Sequence, residues 1–392
     1  MNRRESAYVK SLVVVALAAV LTTAAFPQPW LTLVFPAVGV LFAAGGAAAA
    51  SRLDAARRGR AFLPRAAAAL LVPFWVFGAA VITAMLAAGW SWSAEEGTAP
   101  LTWDTAWLWL LPFADPPVSS DGFGLVGAVW FIRVYLWLLV LTPPLLWLSR
   151  RWPLRTMTVP LGAMALVTVG IVNPLGATAD IVLGLSAYTT CWLLGFAHRD
   201  GRLPHVPVST ALVLGVGCAA AGIAVALWQE PLYGSYRLEL NPAATMLFSL
   251  GGVLLLLRLD PWMRWMERVR GIHPVLSLFH SRSLTAFLWV NVVITLTPAA
   301  IAATPLAPYH TATTSGEVLE YTATWVLLLT VLVVLGWSED LGAGRRPRLL
   351  PRRRHRVAAG PAAVAVRPDV TPDVAPGVVT APVVQVTRSA AA

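Results

Sequence analysis

The sequence predicts an all-α polytopic membrane helix bundle of about ten transmembrane helices, with the N- and C-termini in the cytoplasm. Three observations carry that prediction: ten apolar runs, basic residues gathered in alternate gaps between them, and tryptophans at the run ends. Apolar residues make up 57% of the 392-residue chain and charged residues only 12%. That balance excludes a soluble domain of this length. Most runs approach the ~20 residues needed to cross a hydrocarbon core ~30 Å thick.

The first run, 11–27, follows Arg3, Arg4 and Lys10. It shares a basic start and alanines near Ala24 with signal peptides, yet reads as an uncleaved span that sets the phase of the loops after it. Runs 30–50 and 66–89 flank Arg52, Arg57, Arg58, Arg60 and Arg65, and runs 127–149 and 156–173 flank Arg150, Arg151 and Arg155. Arg199 and Arg202 separate 179–197 from 208–228. Arg258, Arg264, Arg268 and Arg270 separate 242–257 from 275–299, and Arg345 to Arg356 follow 320–337. The other gaps carry acid instead: Glu95, Glu96, Asp104, Asp115 and Asp121 after the third run, Glu317 and Glu320 at the tenth. Lysine and arginine mark cytoplasmic loops, so the alternation sets the orientation. Trp30, Trp90, Trp147, Trp152, Trp228 and Trp337 fall at run ends, as in interfacial aromatic belts.

Two segments stand outside the spans. The external gap 90–126 contains WDTAWLWLLPFADPP, too short and proline-broken to cross. It reads as an interfacial or re-entrant segment, either a substrate lid or a cover. Beyond a membrane domain at 1–341, residues 342–392 open with RRPRLLPRRRHR and continue Pro-, Ala- and Val-rich, which predicts a disordered tail. Its basic cluster meets anionic lipid at ~1 kcal/mol per residue. Loop placement thus accounts for the net charge of +10, making membrane lipids the expected partner and excluding nucleic acid. Cys191 and Cys218 lie in apolar runs, and no metal-ligand spacing occurs, so no metal is expected.

Before the far tail, only Arg133, Arg237 and Arg282 escape the sorting of basic residues. An arginine within a span costs ~2.5 kcal/mol or more and so faces a cavity or a partner. Arg133 lies just inside the outer end of span four. Arg282 lies about eight residues, ~12 Å, from the inner end of span nine. Taking Ser277 as zero at ~100° per residue, Ser281 falls near 40°, Thr285 near 80°, Asn291 near −40°, Thr295 near 0° and His280 near −60°. That polar stripe predicts either helix-to-helix hydrogen bonding or a cavity. Arg237 has Glu230 and Glu239 as nearby carboxylates; His198, His205 and His273 read as solvated turn residues, and His310 as a loop residue without an evident partner.

The strings LVFPAVGVLFAAGG, FLPRAAAALLVPFWVF, VWFIRVYLWLLVLTPPLL, WLLGFAHRDGRL and FHSRSLTAFLWVNVVI occur in the order seen in the acyltransferase-3 family. Over roughly 10–337 the chain resembles that family. The resemblance implies a multi-pass protein of the bacterial cytoplasmic membrane. It also implies transfer of an acyl group from a cytoplasmic thioester, acyl-CoA, to a hydroxyl of a surface carbohydrate, lipid or metabolite. Family members carry a histidine in span one as general base. Counting from Lys10, that position falls near Leu21 here. The arginine-rich start of span three is reduced to Arg65 before four alanines, and a family histidine in span nine is Val290. His280 is then the candidate catalytic base, with Arg65 and Arg282 for the donor, Arg133 for the acceptor side, and Ser281 and Asn291 as further substrate-binding candidates. Two further readings stay open: a non-catalytic scaffold or accessory homologue, and a transporter of a lipid-linked or small polar molecule.

Overall fold

The computed structural model describes residues 7–349 apart from 27, 57–61, 91–101, 121, 173–176, 261, 263–264, 266–272 and 311–312. Among the described residues the chain is helical, with no strand. We label the principal helices α1 (Ala7–Ala25), α2 (Ala37–Ala56), α3 (Phe62–Ala87), α4 (Val129–Arg151), α5 (Pro153–Thr168) and α6 (Ala177–Arg199). There follow α7 (Val208–Trp228), α8 (Pro242–Arg258), α9 (His273–Ser281), α10 (Ser283–Ala302), α11 (Thr314–Leu335) and α12 (Trp337–Gly342). Each predicted apolar run falls on helix, the ninth on two. Among the described residues, eight helices are long and apolar enough to cross a membrane. The other two, α5 and α8, have 16 and 17 residues, about 25 Å of rise against a core of ~30 Å. The fold is an all-α polytopic bundle.

Local chemistry sets the helix ends. Pro153 opens α5 immediately after Trp152 ends α4, because its missing N–H is one that a first turn leaves unbonded. Asn241 caps α8 by accepting from the Ala244 N–H at 3.0 Å, with Pro242 following it. Gly234, at φ +70°, ends the short helix Glu230–Tyr233 in the left-handed region.

Aromatic side chains fill the centre. Phe42 of α2 lies 4.5 Å from Tyr188 of α6 and 4.6 Å from Phe131 of α4, whose ring is 4.3 Å from Phe287 of α10. Backbones touch where glycine permits it. A Cβ at Gly46 would strike the Trp192 carbonyl, and one at Gly195 the Ala43 carbonyl, so at these two points the α2 and α6 backbones meet directly. By contrast, α7 and α11 are peripheral, with 22% and 17% of their apolar windows buried, and expose Leu212, Val213, Val318 and Val326 as a lipid-facing surface.

The two ends of the bundle differ. At the end bearing the basic loops, Arg150 donates to both Asp54 (2.8 and 3.0 Å) and Asp200 (3.0 Å), while Arg199 also binds both carboxylates. Thus α2, α4 and α6 are fastened by a four-residue ion cluster. His198, expected in solvent, instead lies 3.8 Å from Asp260, because the end of α6 meets the end of α8. At the opposite end, residues 102–120 are tied down on α3 and α4. Trp75 Nε1 donates to the Leu110 carbonyl (2.9 Å), Trp137 Nε1 to that of Phe113 (3.1 Å), and Trp109 stacks on Phe74. His310, for which the sequence offered no partner, lies 3.2 Å from Glu320, one helical turn and a half inside α11. The predicted boundary at 341/342 falls at the end of α12, and residues 350–392 of the predicted tail lie outside the described residues.

Candidate functional site

A cavity of about 600 Å³ opens among the helix ends opposite the basic loops. Its walls come from the last turns of α1, the first turns of α2, α4, α6 and α8, and the middle of α10. Trp130 lines it and stacks on Tyr188, with centroids 5.6 Å apart and planes 26° apart. Two guanidinium groups reach it. Arg133, only 5% exposed, gives Nη1 to the Asp115 carboxylate, and its Nε has no acceptor among the described residues. Arg237 donates Nη2 to Glu239 Oε2 at 2.6 Å, as the sequence allowed, and its Nε is likewise buried and unbonded. Each such N–H left unbonded costs about 1–3 kcal/mol. Asn291 faces the same space across Gly127, where a Cβ would approach Nδ2 to 2.7 Å.

A second constellation sits at the basic end, where the ninth run breaks. Arg282, at φ −124°, interrupts the helix between α9 and α10, and its side chain is 1% exposed. Its Nη2 donates to Asp340 Oδ2 (2.8 Å) and to the Arg348 carbonyl (2.7 Å). Glu339 Oε1 accepts from both the N–H and the hydroxyl of Thr285, each at 2.7 Å. The carboxylate of α12 thus caps α10 from another part of the chain, in the position favoured by the helix dipole. Loss of hydration pushes the Glu339 carboxyl up to about 7, opposed by the Thr285 bonds and by Arg282.

The sequence-predicted residues therefore divide. Arg133 and Asn291 line the cavity. Arg282 lies in the second constellation; Ser281 donates its hydroxyl to the Leu278 carbonyl (3.0 Å); His280 is half-buried at the end of α9, off the cavity wall; and Arg65 is exposed in the first turn of α3. The helix carrying the predicted polar stripe is broken at Arg282, and the stripe's members do not share one environment: Ser277 and Thr295 are exposed, Thr285 is buried and Asn291 lines the cavity. Between the two regions, Phe287 and Val290 of the cavity wall also enclose, with Phe279 and Trp325, a void of only about 10 Å³. The sequence did not single out Trp130, Tyr188, Asp180 or Glu239 for this site. Trp130 and Tyr188 carried no signal beyond an apolar run, and the two acids lie in loops or first turns where a solvated role was the simpler reading. Among the described residues no group of three or more His, Cys, Asp or Glu side chains could hold a metal ion.

Fold and cavity together define a multi-pass membrane protein with a cavity among its helices. The family model described as an acyltransferase domain, acyltransferase-3, matches residues 12–338. The chain belongs to that family. No curated protein and no solved structure matches it.

Proposed function

We propose that the protein lies in a bacterial cytoplasmic membrane with its basic loops and both termini inside. There it serves acyl transfer from a cytoplasmic thioester, acyl-CoA, to a hydroxyl acceptor held in the outer cavity. The observation that carries this reading is the cavity itself. It offers a Trp130–Tyr188 platform for the apolar face of a ring and buried N–H donors from Arg133 beside Asn291, the mixture a polyhydroxylated molecule needs. Family membership supplies the reaction class.

In such a transfer the acceptor oxygen attacks the thioester carbonyl, a base takes its proton, and the thiolate leaves. His280 is the candidate base and Arg65, exposed at the basic end, the candidate contact for donor phosphates. Arg282 would set the α9–α10 break that presents His280 and Ser281. Because Phe287 and Val290 stand between the cavity and α9, transfer requires these side chains to move. Purified protein given acetyl-thioester and followed by free thiol release tests the reading. Unchanged release in both His280→Ala and Arg282→Ala removes those assignments.

A second reading, a non-catalytic homologue that binds the acceptor without turning it over, is favoured by one observation. Leu21 and Val290, the positions at which the family resemblance places histidines, are both apolar and buried. Thioester consumption by the unmodified protein eliminates it.

A further inference from the structure

The two arginines of the cavity are built differently from an ordinary ion pair. Each is matched with a carboxylate whose side chain stays about half exposed, 55% for Asp115 and 51% for Glu239, whereas the Arg133 side chain is 6% exposed. A hydrated carboxylate is readily exchanged for another oxyanion; a buried guanidinium always needs one. Asp115 takes only Nη1 of Arg133, leaving Nε buried and without an acceptor among the described residues, while the residue itself lines the cavity. The planar Nε–Nη edge is the part of arginine that grips a carboxylate or phosphate with two bonds. The remaining charged lining residue, Asp180, is exposed, so it stays hydrated and opposes an anion only weakly.

We infer that the cavity takes an anionic acceptor: a ring-bearing hydroxyl compound carrying a carboxylate or phosphate, whose oxyanion binds the buried Arg133 guanidinium while its ring lies on Trp130. This rests on the acceptor reading of the cavity and adds its charge. Asp115 holds the site in the ligand's absence and yields when the oxyanion arrives.

Equilibrium binding to the full chain in phosphatidylcholine nanodiscs tests the inference, with glucose, glucuronate and glucose 6-phosphate as probes. One of the two anions is expected to bind at least ~10-fold tighter than glucose, about 1.4 kcal/mol. Arg133→Gln is expected to abolish that preference by weakening anion binding at least ~10-fold more than glucose binding, and Asp115→Asn to strengthen anion binding several-fold. Equal binding of all three probes, or an unaltered preference in Asp115→Asn, overturns the inference even if Arg133→Gln fails to fold. Nanodiscs containing phosphatidylglycerol separate the sources. Arg133-dependent displacement of the sugar anion assigns the oxyanion to a lipid headgroup, and no displacement assigns it to a glycan or soluble acceptor. Anion preference without any thiol release keeps this inference and removes catalysis; thiol release to a neutral acceptor without anion preference does the reverse.

Discussion

Leu21 of α1 and Val290 of α10 lie in one buried apolar cluster with Val293 and Leu328, and Leu21 has no exposed surface. These are the two positions where the family resemblance places imidazoles, and the fold brings them together although they stand at opposite ends of the chain. Their joint replacement is chemically consistent. A single histidine left here would sit among mainly apolar side chains, with Tyr321 and Trp325 beside the cluster, whereas Val290 lines the wall of the outer cavity with Val20 and Phe287.

Leu21→His should therefore fail to install a working base. The ring would replace leucine in a buried cluster that is aliphatic apart from Tyr321 and Trp325, at a cost of ~1–3 kcal/mol for any nitrogen left unbonded. We expect a lower Tm in detergent than for Leu21→Met, which conserves volume and should cost less than ~1.5 kcal/mol, and no gain in thiol release. A Leu21→His protein as stable as the parent would refute the packing described.

Gly46→Ala should loosen the bundle centre. The added methyl meets the Trp192 carbonyl, a backbone atom that cannot rotate away, so α2 must move from α6. Overpacking of this kind costs about 1–3 kcal/mol. Gly162→Ala, on α5 with open space at its Cβ, is the control and should leave the Tm unchanged or slightly raised. Equal behaviour of the two variants would contradict the close approach.

The sequence made the helices legible because apolar period, length and basic gaps are local properties. Arg133 was legible as a site residue for a similar reason: a charge within a hydrophobic run is conspicuous against its neighbours. What stayed hidden was pairing over distance. Nothing near Arg282 in the chain announces Asp340, and nothing near Thr285 announces Glu339; both contacts exist only because α12 turns back onto the start of α10. The break at Arg282 was hidden likewise, since the projected stripe treated the ninth span as one continuous helix. Asp54 and Asp200 were overlooked because positive-inside reasoning counts arginines and ignores the acids among them.

The ion cluster at the basic end should make the fold sensitive to acid. Burial disfavours the Asp200 carboxylate, but hydrogen bonds from Arg150 and Arg199 prevail and hold it below the usual range. Its contribution is thus present above the unfolded value of about 3.9 and is lost as pH falls through the lower folded value. Asp200→Asn should shed part of the parent's loss of Tm below about pH 4, and Arg150→Ala should lower stability at neutral pH by about 1–3 kcal/mol. Parallel acid profiles of parent and Asp200→Asn would show that the cluster contributes nothing.

Glu339 should act in the opposite sense and in another window. Its folded value near 7 stands above the ordinary 4.5, so the folded protein holds a proton that the unfolded chain releases. Stability from this group is complete below 4.5 and declines as pH rises through 7. Glu339→Gln keeps a carbonyl oxygen to accept from the N–H and hydroxyl of Thr285 and removes the ionisation. Its Tm should hold level between pH 5 and 8 relative to the parent, whose Tm should fall over the same interval, so that the difference between them grows with pH. Other groups titrating there act on both proteins alike and cancel in that difference. A difference independent of pH would mean that the Glu339 carboxyl is as well hydrated in the fold as in the unfolded chain.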